Sequence, residues 1–435
     1  MSGRRISALI ACGITLVALT MAGLLFQLED NLDRFLIVAA LQSAVYAAAV
    51  WLCWAGGSSR RVVLAIAVLA IVMRAPTVFA PPYLSSDIYR YVWDGQVEAA
   101  GFNPYLLAPA DPQVEPLRDH DIYPQIASQY APTIYPPIAE GLFLVVTRIS
   151  GSVTAMKISV VIFEMITFAL LARLLALEGL PTARVIVYAW HPLPIWEFAG
   201  SGHIDGPLIA FCVAALWAMR RQRDGLSGLF LTGATLIKFY PMVLLPALYR
   251  RWGWRLPVAF VVAIVVGYLP FVSAGSGILG FLPGYARQEG FNGAGVGFYL
   301  LDLLHRVPAL AALDAQIYAL AAVAVLALLS AAFVFRRQRA PSPYGMAATL
   351  AGLFMFFVSP HYPWYFAWLI VFACFVRSFA LLWLTNACLL LYLLRDYVFV
   401  PSAQQLMIQS TIYVPFVVLA IVDFRHYRRR EVLRG

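Results

Sequence analysis

The sequence predicts an all-α polytopic transmembrane protein, with about 12 full spans, one broken hairpin of short helices and one helix in the outer interface. Three observations carry the prediction. The 435-residue chain is 62% hydrophobic and only 12% charged, with a mean hydropathy of +0.79, a balance no soluble domain has. Many of its apolar runs reach the ~20 residues that an α-helix needs to cross hydrocarbon. Arginines cluster between these runs, and with alternating crossings every cluster falls on one side.

Arg4 and Arg5 precede a first span, about Ile6 to Phe26. It lacks a small-residue cleavage site and runs into Gln27-Leu28-Glu29-Asp30, so it reads as an uncleaved span. Span two runs from about Phe35 to Ala55 and span three from about Val62 to Ala80, with Arg60 and Arg61 between them. The positive-inside rule then puts the N-terminus in the cytoplasm and everything after Ala80 outside. The segment 81–133 carries seven acids and two arginines, opposite in sign to the chain's net charge of +9.

The next apolar run, Ile138 to Ile149, is too short to cross, so it reads as the helix lying in or dipping into the outer interface. Residues 153–172 enter the membrane, 185–199 return outside, and 207–219 go back in to meet Arg220, Arg221 and Arg223. Leu226 to Tyr249 has arginines at both ends and cannot be a single crossing. Lys238-Phe239-Tyr240-Pro241 divides it into a hairpin with Lys238 near the tip, a break tolerated where it lines a polar cavity. Residues 256–272 exit to an outer segment, 273–308, holding Arg287, Asn292 and a glycine-rich stretch. Residues 310–335 enter, and 344–359 exit to His361-Tyr362-Pro363-Trp364-Tyr365. Three further runs end at Arg425 and Arg428 to Arg430. The chain reads as one integral-membrane domain, 1–435, in which 81–151 is an extracytoplasmic loop with interfacial helices.

The positive balance would suggest nucleic acid for a soluble protein; here it reflects arginines on the cytoplasmic side, and no nucleic-acid partner is expected. The five cysteines all fall in apolar runs, so neither a disulfide framework nor a thiolate metal site is indicated. Of 31 basic residues only Lys157 and Lys238 are lysine, and both lie in apolar stretches. Lys157 can pair with Glu164 on its own helix.

Four outer-side places carry polar groups that need a reason. In Ser85 to Tyr105, Asp87, Tyr91, Asp94 and Glu98 step by helical spacing and share one face, with Ser85 or Ser86 as cap and Gly101 as stop. That face is either solvated or functional. His203 and Asp205 occupy one glycine-flanked turn. His203 can hydrogen-bond a neighbouring loop, and Asp205 can cap the helix it begins. Lys238, deep and beside a proline break, requires an anionic partner. Around His361, Tyr362, Trp364 and Tyr365 read either as an aromatic belt or as site residues.

Transfer from a lipid-phosphate donor would use this set. A leaving phosphate needs cations such as Lys238, Arg287 or His361, and an acceptor hydroxyl needs a carboxylate base. No nucleotide-binding loop is present. Asp87 and Asp94 do not form a close Asp-x-Asp pair, so no obligatory metal or other cofactor is indicated.

Asp87-Ile88-Tyr89-Arg90-Tyr91-Val92-Trp93-Asp94-Gly95 with Asn103-Pro104-Tyr105 resembles the first outer loop of GT-C superfamily glycosyltransferases. It is most similar to bacterial polyprenyl-phosphate-mannose-dependent mannosyltransferases. Tyr135-Pro136-Pro137, Gly202-His203-Ile204-Asp205, Lys238-Phe239-Tyr240-Pro241 and His361-Tyr362-Pro363-Trp364-Tyr365 follow in the family's order. Three spans before this loop, where the superfamily most often has one, are a departure.

The resemblance implies a GT-C-like fold, Asp87 as catalytic base, and inverting, metal-independent transfer of a hexose from a polyprenyl-monophosphate sugar. Mannose is favoured, with glucose, galactose and arabinose open. The acceptor would be an extracytoplasmic glycolipid or glycan, at the outer side of a bacterial inner membrane. Lys238 and His361 match positions that would hold the donor phosphate, and the charge of Arg287 adds it as a further candidate. Tyr91, Asp94, Glu98, His203, Asp205, Tyr240, Asn292, Tyr362 and Tyr365 would bind or support the substrates. A flippase or exporter of a polyprenyl-linked sugar is the alternative, although no internal repeat points to a transporter.

Overall fold

A computed structural model of the chain describes residues 3–54, 59–250, 252–288, 298–335, 342–394 and 402–432. Among them there is no strand, as the run lengths and the polar-poor composition require. Seven helices are long and apolar enough to cross a membrane: α1 (Gly3–Leu28), α2 (Leu32–Trp54), α3 (Arg60–Phe79), α6 (Val153–Leu177), and the helices Arg255–Gly277, Ala315–Phe335 and Ser402–His426. Side chains such as Ile14, Leu64, Val261, Leu320 and Leu328 point outward from them, as contact with lipid allows. Between α3 and α6 lie two short helices, α4 (Asp87–Ala99) and α5 (Pro137–Ile149). The protein is thus an all-α, multi-pass membrane protein.

The expected crossing over 185–199 is not a continuous helix. Thr182–Val185, Ile186–Ala189, Pro192–Pro194 and a π-helical turn, Ile195–Gly200, follow one another. Pro192 and Pro194 lack the N–H that an unbroken helix needs there. Helices Pro343–Val358, Pro363–Ala373 and Phe379–Leu394 are apolar but shorter than the long spans.

The chain forms two compact units. The first comprises residues 1–76, 171–195 and 341–435. Its interior polar groups find partners: Tyr46 Oη donates to Val187 O at 2.8 Å, Trp190 Nε1 to Ile66 O at 2.9 Å, and Tyr344 Oη to Glu178 Oε1 at 2.8 Å. Ser359, left-handed at φ 47°, ends the helix Pro343–Val358 and starts the turn that bears His361. Tyr362 stacks on buried Trp364 at 4.5 Å.

The second unit comprises residues 77–170 and 196–340. Here α4 lies against α5, with Tyr91 stacked on Phe143 at 4.7 Å. Gly95 makes the approach possible, because a Cβ there would sit 2.5 Å from Phe143 O. The segment read as a broken hairpin is one: a helix over Asp224–Thr235, a break at 236–239, then the short turns Tyr240–Leu244 and Leu245–Leu248. The first amides of α5, on Ile138 and Ala139, donate to Leu236 O at 2.9 and 3.1 Å, fixing the break to α5. Lys157 does not pair with Glu164. Its ammonium donates to Thr77 O at 3.3 Å and Ala80 O at 2.7 Å, at the C-terminal end of α3, where a cation is favoured.

Candidate functional site

The site is built in the second unit around α4. The Ser85 hydroxyl accepts from the Asp87 amide at 3.2 Å, while Ser86, at the cap position, makes no side-chain capping bond. At the other end Gly101 takes φ +88°, and the Phe102 and Gly101 amides donate to Val97 O and Glu98 O, closing the helix with paired reverse bonds. Asp87, Tyr91, Asp94 and Glu98 share the face expected of their spacing, and it turns inward. Tyr91 and Asp94 are buried, Glu98 is half-buried, and Asp87, on the first turn, keeps its side chain 36% exposed. The helix N-terminus favours an ionised carboxylate at that position.

The turn Gly200–Asp205 meets this helix. Gly202, at φ +76°, adopts a conformation that glycine tolerates, and its missing Cβ leaves room for Ile88. His203 is thereby lodged in the interior. Its Nδ1 lies 3.8 Å from Asp87 Oδ2 and 3.5 Å from Tyr91 Oη, and its Nε2 lies 3.5 Å from Glu197 Oε2. Burial, reinforced by the Lys238 ammonium, holds the imidazole well below its usual range, so it is neutral at neutral pH.

Two residues on, Asp205 begins the helix Asp205–Arg220. Its carboxylate does not cap that helix. It accepts from Lys238 Nζ at 2.7 Å and from Tyr240 Oη at 2.6 Å. The break after Thr235 frees Lys238 and Tyr240 to reach it. Lys238 thus has the anionic partner its depth demands, with Asp205 fully buried and Lys238 11% exposed. Asp87, His203, Asp205, Lys238 and Tyr240 form one connected cluster through the short turn His203-Ile204-Asp205.

Asp94 is bonded elsewhere. It accepts from Arg90 Nε at 2.7 Å, and Arg90 also donates to Ala131 O at 2.9 Å. Arg287 is exposed in the last turn of Leu282–Gln288, and no hydrogen bond or ion pair among the described residues joins it to the cluster. His361, Tyr362 and Tyr365 belong to the first unit, and Asn292 lies outside the described residues. The sequence reading passed over Glu197 and Glu140, both fully buried, and Arg90. An acid inside an apolar run was the available signal for the first two.

No curated protein matches the chain. A family model described as alpha-(1->6)-mannopyranosyltransferase, N-terminal domain, matches residues 7–254 of the 435. The matched stretch contains every residue of the cluster and stops short of Arg287, Asn292 and His361. The chain belongs to this alpha-(1->6)-mannopyranosyltransferase family, and is a multi-pass membrane mannosyltransferase.

Proposed function

We propose that the protein transfers mannose from a polyprenyl-monophosphate donor to an extracytoplasmic glycolipid or glycan acceptor, on the outer side of a bacterial inner membrane. The observation that supports this best is the joining of Asp87, through the His203 turn, to the Asp205–Lys238 pair. A partly exposed carboxylate and a held ammonium are the two charges that the chemistry requires.

Asp87 accepts the proton of the acceptor hydroxyl as its oxygen attacks the anomeric carbon. The bond from that carbon to the donor phosphate oxygen breaks, and the polyprenyl phosphate leaves with the electron pair. Attack opposite the leaving group inverts the anomeric centre. Lys238 neutralises the charge growing on the phosphate. Asp205 and Tyr240 hold that lysine in place. Neutral His203 lies 3.8 Å from the Asp87 carboxylate without adding a competing cation. For His361 the donor-phosphate role rests on the sequence resemblance and for Arg287 on its charge alone; the substrate contacts of Asn292, Tyr362 and Tyr365 rest on their places in the sequence.

The test is mannosyl transfer in proteoliposomes supplied with polyprenyl-phosphate mannose and a mannolipid acceptor. Wild type incorporates mannose into the acceptor, and Asp87→Asn lowers the rate by about 10²–10⁴-fold, the usual effect of losing a general base. Unchanged turnover of Asp87→Asn overturns the base assignment. Movement of intact donor across the bilayer without incorporation replaces the transferase reading with the flippase one.

A further inference from the structure

Behind Asp87, on the same helix, lies a second group of acids with too little positive charge to match them. Asp94 and Glu98 come from α4 and Glu140 from α5. Asp94 and Glu140 are buried to within 1% of full burial. Thr133 Oγ1 donates to Glu140 Oε1 at 2.6 Å, and Arg90 Nε donates to Asp94 Oδ1 at 2.7 Å. The remaining oxygens Asp94 Oδ2, Glu98 Oε1 and Glu140 Oε2 are buried with no hydrogen-bond partner, and so is Arg90 Nη2. The phenol Tyr105 also faces the three acids, and its Oη is committed to Tyr135 O at 2.7 Å. Among the described residues Arg90 is the one cation hydrogen-bonded to any of the three carboxyl groups, while the exposed Arg148 of α5 donates to Ala99 O beside Glu98 at 2.9 Å.

Ionised together, the three carboxylates would carry two more negative charges than Arg90 balances, with Asp94 and Glu140 buried and Glu98 half-buried, which is costly. Retaining protons removes that cost. Burial, followed by the Asp94 charge, raises Glu98 to about 7. Burial also raises Asp94, against the pull of Arg90, and raises Glu140 further, with the other two acids adding to it.

We propose that Asp94, Glu98 and Glu140 form a proton-holding clamp between α4 and α5 that seats α4 and so positions Asp87. This rests on the reading of Asp87 given above. The three are positioning residues, since none touches the reacting atoms. A carboxyl group raised in the folded state stabilises that state fully below its unfolded value, and the contribution disappears as pH rises through the folded value. For Glu98 the window runs from about 4.5 to about 7. Above it the clamp loosens, and α4 is the element that shifts.

Glu140→Gln tests this, because the amide keeps the bond from Thr133 and can no longer ionise. Wild-type kcat is expected to fall about threefold or more between pH 6 and 9, with Tm falling alongside, while Glu140→Gln, with one of the three titrating groups removed, falls less than half as far in both. Identical profiles for the two proteins overturn the clamp. If Glu140→Gln does not fold, Glu98→Gln decides by Tm alone: a shallower Tm decline than wild type between about pH 4.5 and 7 supports the clamp, and an unaltered decline overturns it. Asp87→Asn separates this result from the base assignment. Its rate should be lowered by the same large factor at every pH with the wild-type Tm profile, so either reading can fail without the other.

Discussion

Replacing Lys238 by methionine removes a charge from two equilibria at once, and the two can be told apart. In the resting protein Lys238 and Asp205 are 2.7 Å apart, with side-chain exposures of 11% and 0%. Removing one partner of such a pair costs about 3–5 kcal/mol, because the other charge stays buried. Tyr240 still donates to Asp205 at 2.6 Å, which offsets about 1 kcal/mol and leaves an expected loss of about 2–4 kcal/mol in stability. In the transition state the same ammonium faces the leaving phosphate. Losing one well-placed donor there is worth about 3–4 kcal/mol, or about 10²–10³-fold in kcat. The double variant Lys238→Met/Asp205→Asn separates the effects. With no buried carboxylate left unpaired, its Tm should return most of the way to wild type while mannosyl transfer stays at the single variant's level. The assay is initial-rate transfer from polyprenyl-phosphate mannose in detergent micelles, beside thermal unfolding of the same preparations. A double variant that regains activity to within about tenfold of wild type would refute the reasoning, since Lys238 would then matter only for folding.

Three structural predictions follow from the same geometry. Gly95→Ala should lower stability by about 1–3 kcal/mol, read as Tm, because the obstructing atom is the Phe143 backbone oxygen at 2.5 Å and cannot swing aside. Gly202→Ala, at φ +76° and against Ile88, should cost at least the ~1–2 kcal/mol of the left-handed backbone and displace His203, lowering kcat more than it raises KM. Lys157→Met should destabilise by about 1–3 kcal/mol, measured by thermal unfolding, by stripping the Thr77 and Ala80 carbonyls of their donor, whereas Glu164→Gln should not reproduce the effect through Lys157.

Local features were the legible ones. Helical spacing, a serine before Asp87 and a glycine at 101 define α4 because each acts within one or two turns. The broken hairpin was legible from arginines at both ends of a run too long to ignore and unable to cross once. Partnerships across distance were not. Asp205 looked like a helix cap because it begins a helix, yet the partners that claim its carboxylate lie 33 and 35 residues away. Lys157 and Glu164 are two helical turns apart, but the lysine's long stem carries its ammonium to the end of α3 instead. The face holding Asp94 could have been solvated, and only the docking of α5, with Glu140 on it, turned it into an interior. Crossing by crossing, prolines 192 and 194 made the difference, converting an apolar run into a chain of short turns.

The central claim is that the Asp87 carboxylate and the Lys238 ammonium serve one donor–acceptor site. A cryo-EM structure with a non-hydrolysable polyprenyl-phosphonate mannose analogue tests it most directly. Within hydrogen-bonding reach of Lys238 Nζ, about 3 Å, the phosphonate should be found, with the anomeric carbon facing the side of the sugar from which Asp87 can deliver an acceptor oxygen. A phosphonate bound away from Lys238, or a sugar whose anomeric carbon is screened from Asp87, would contradict it.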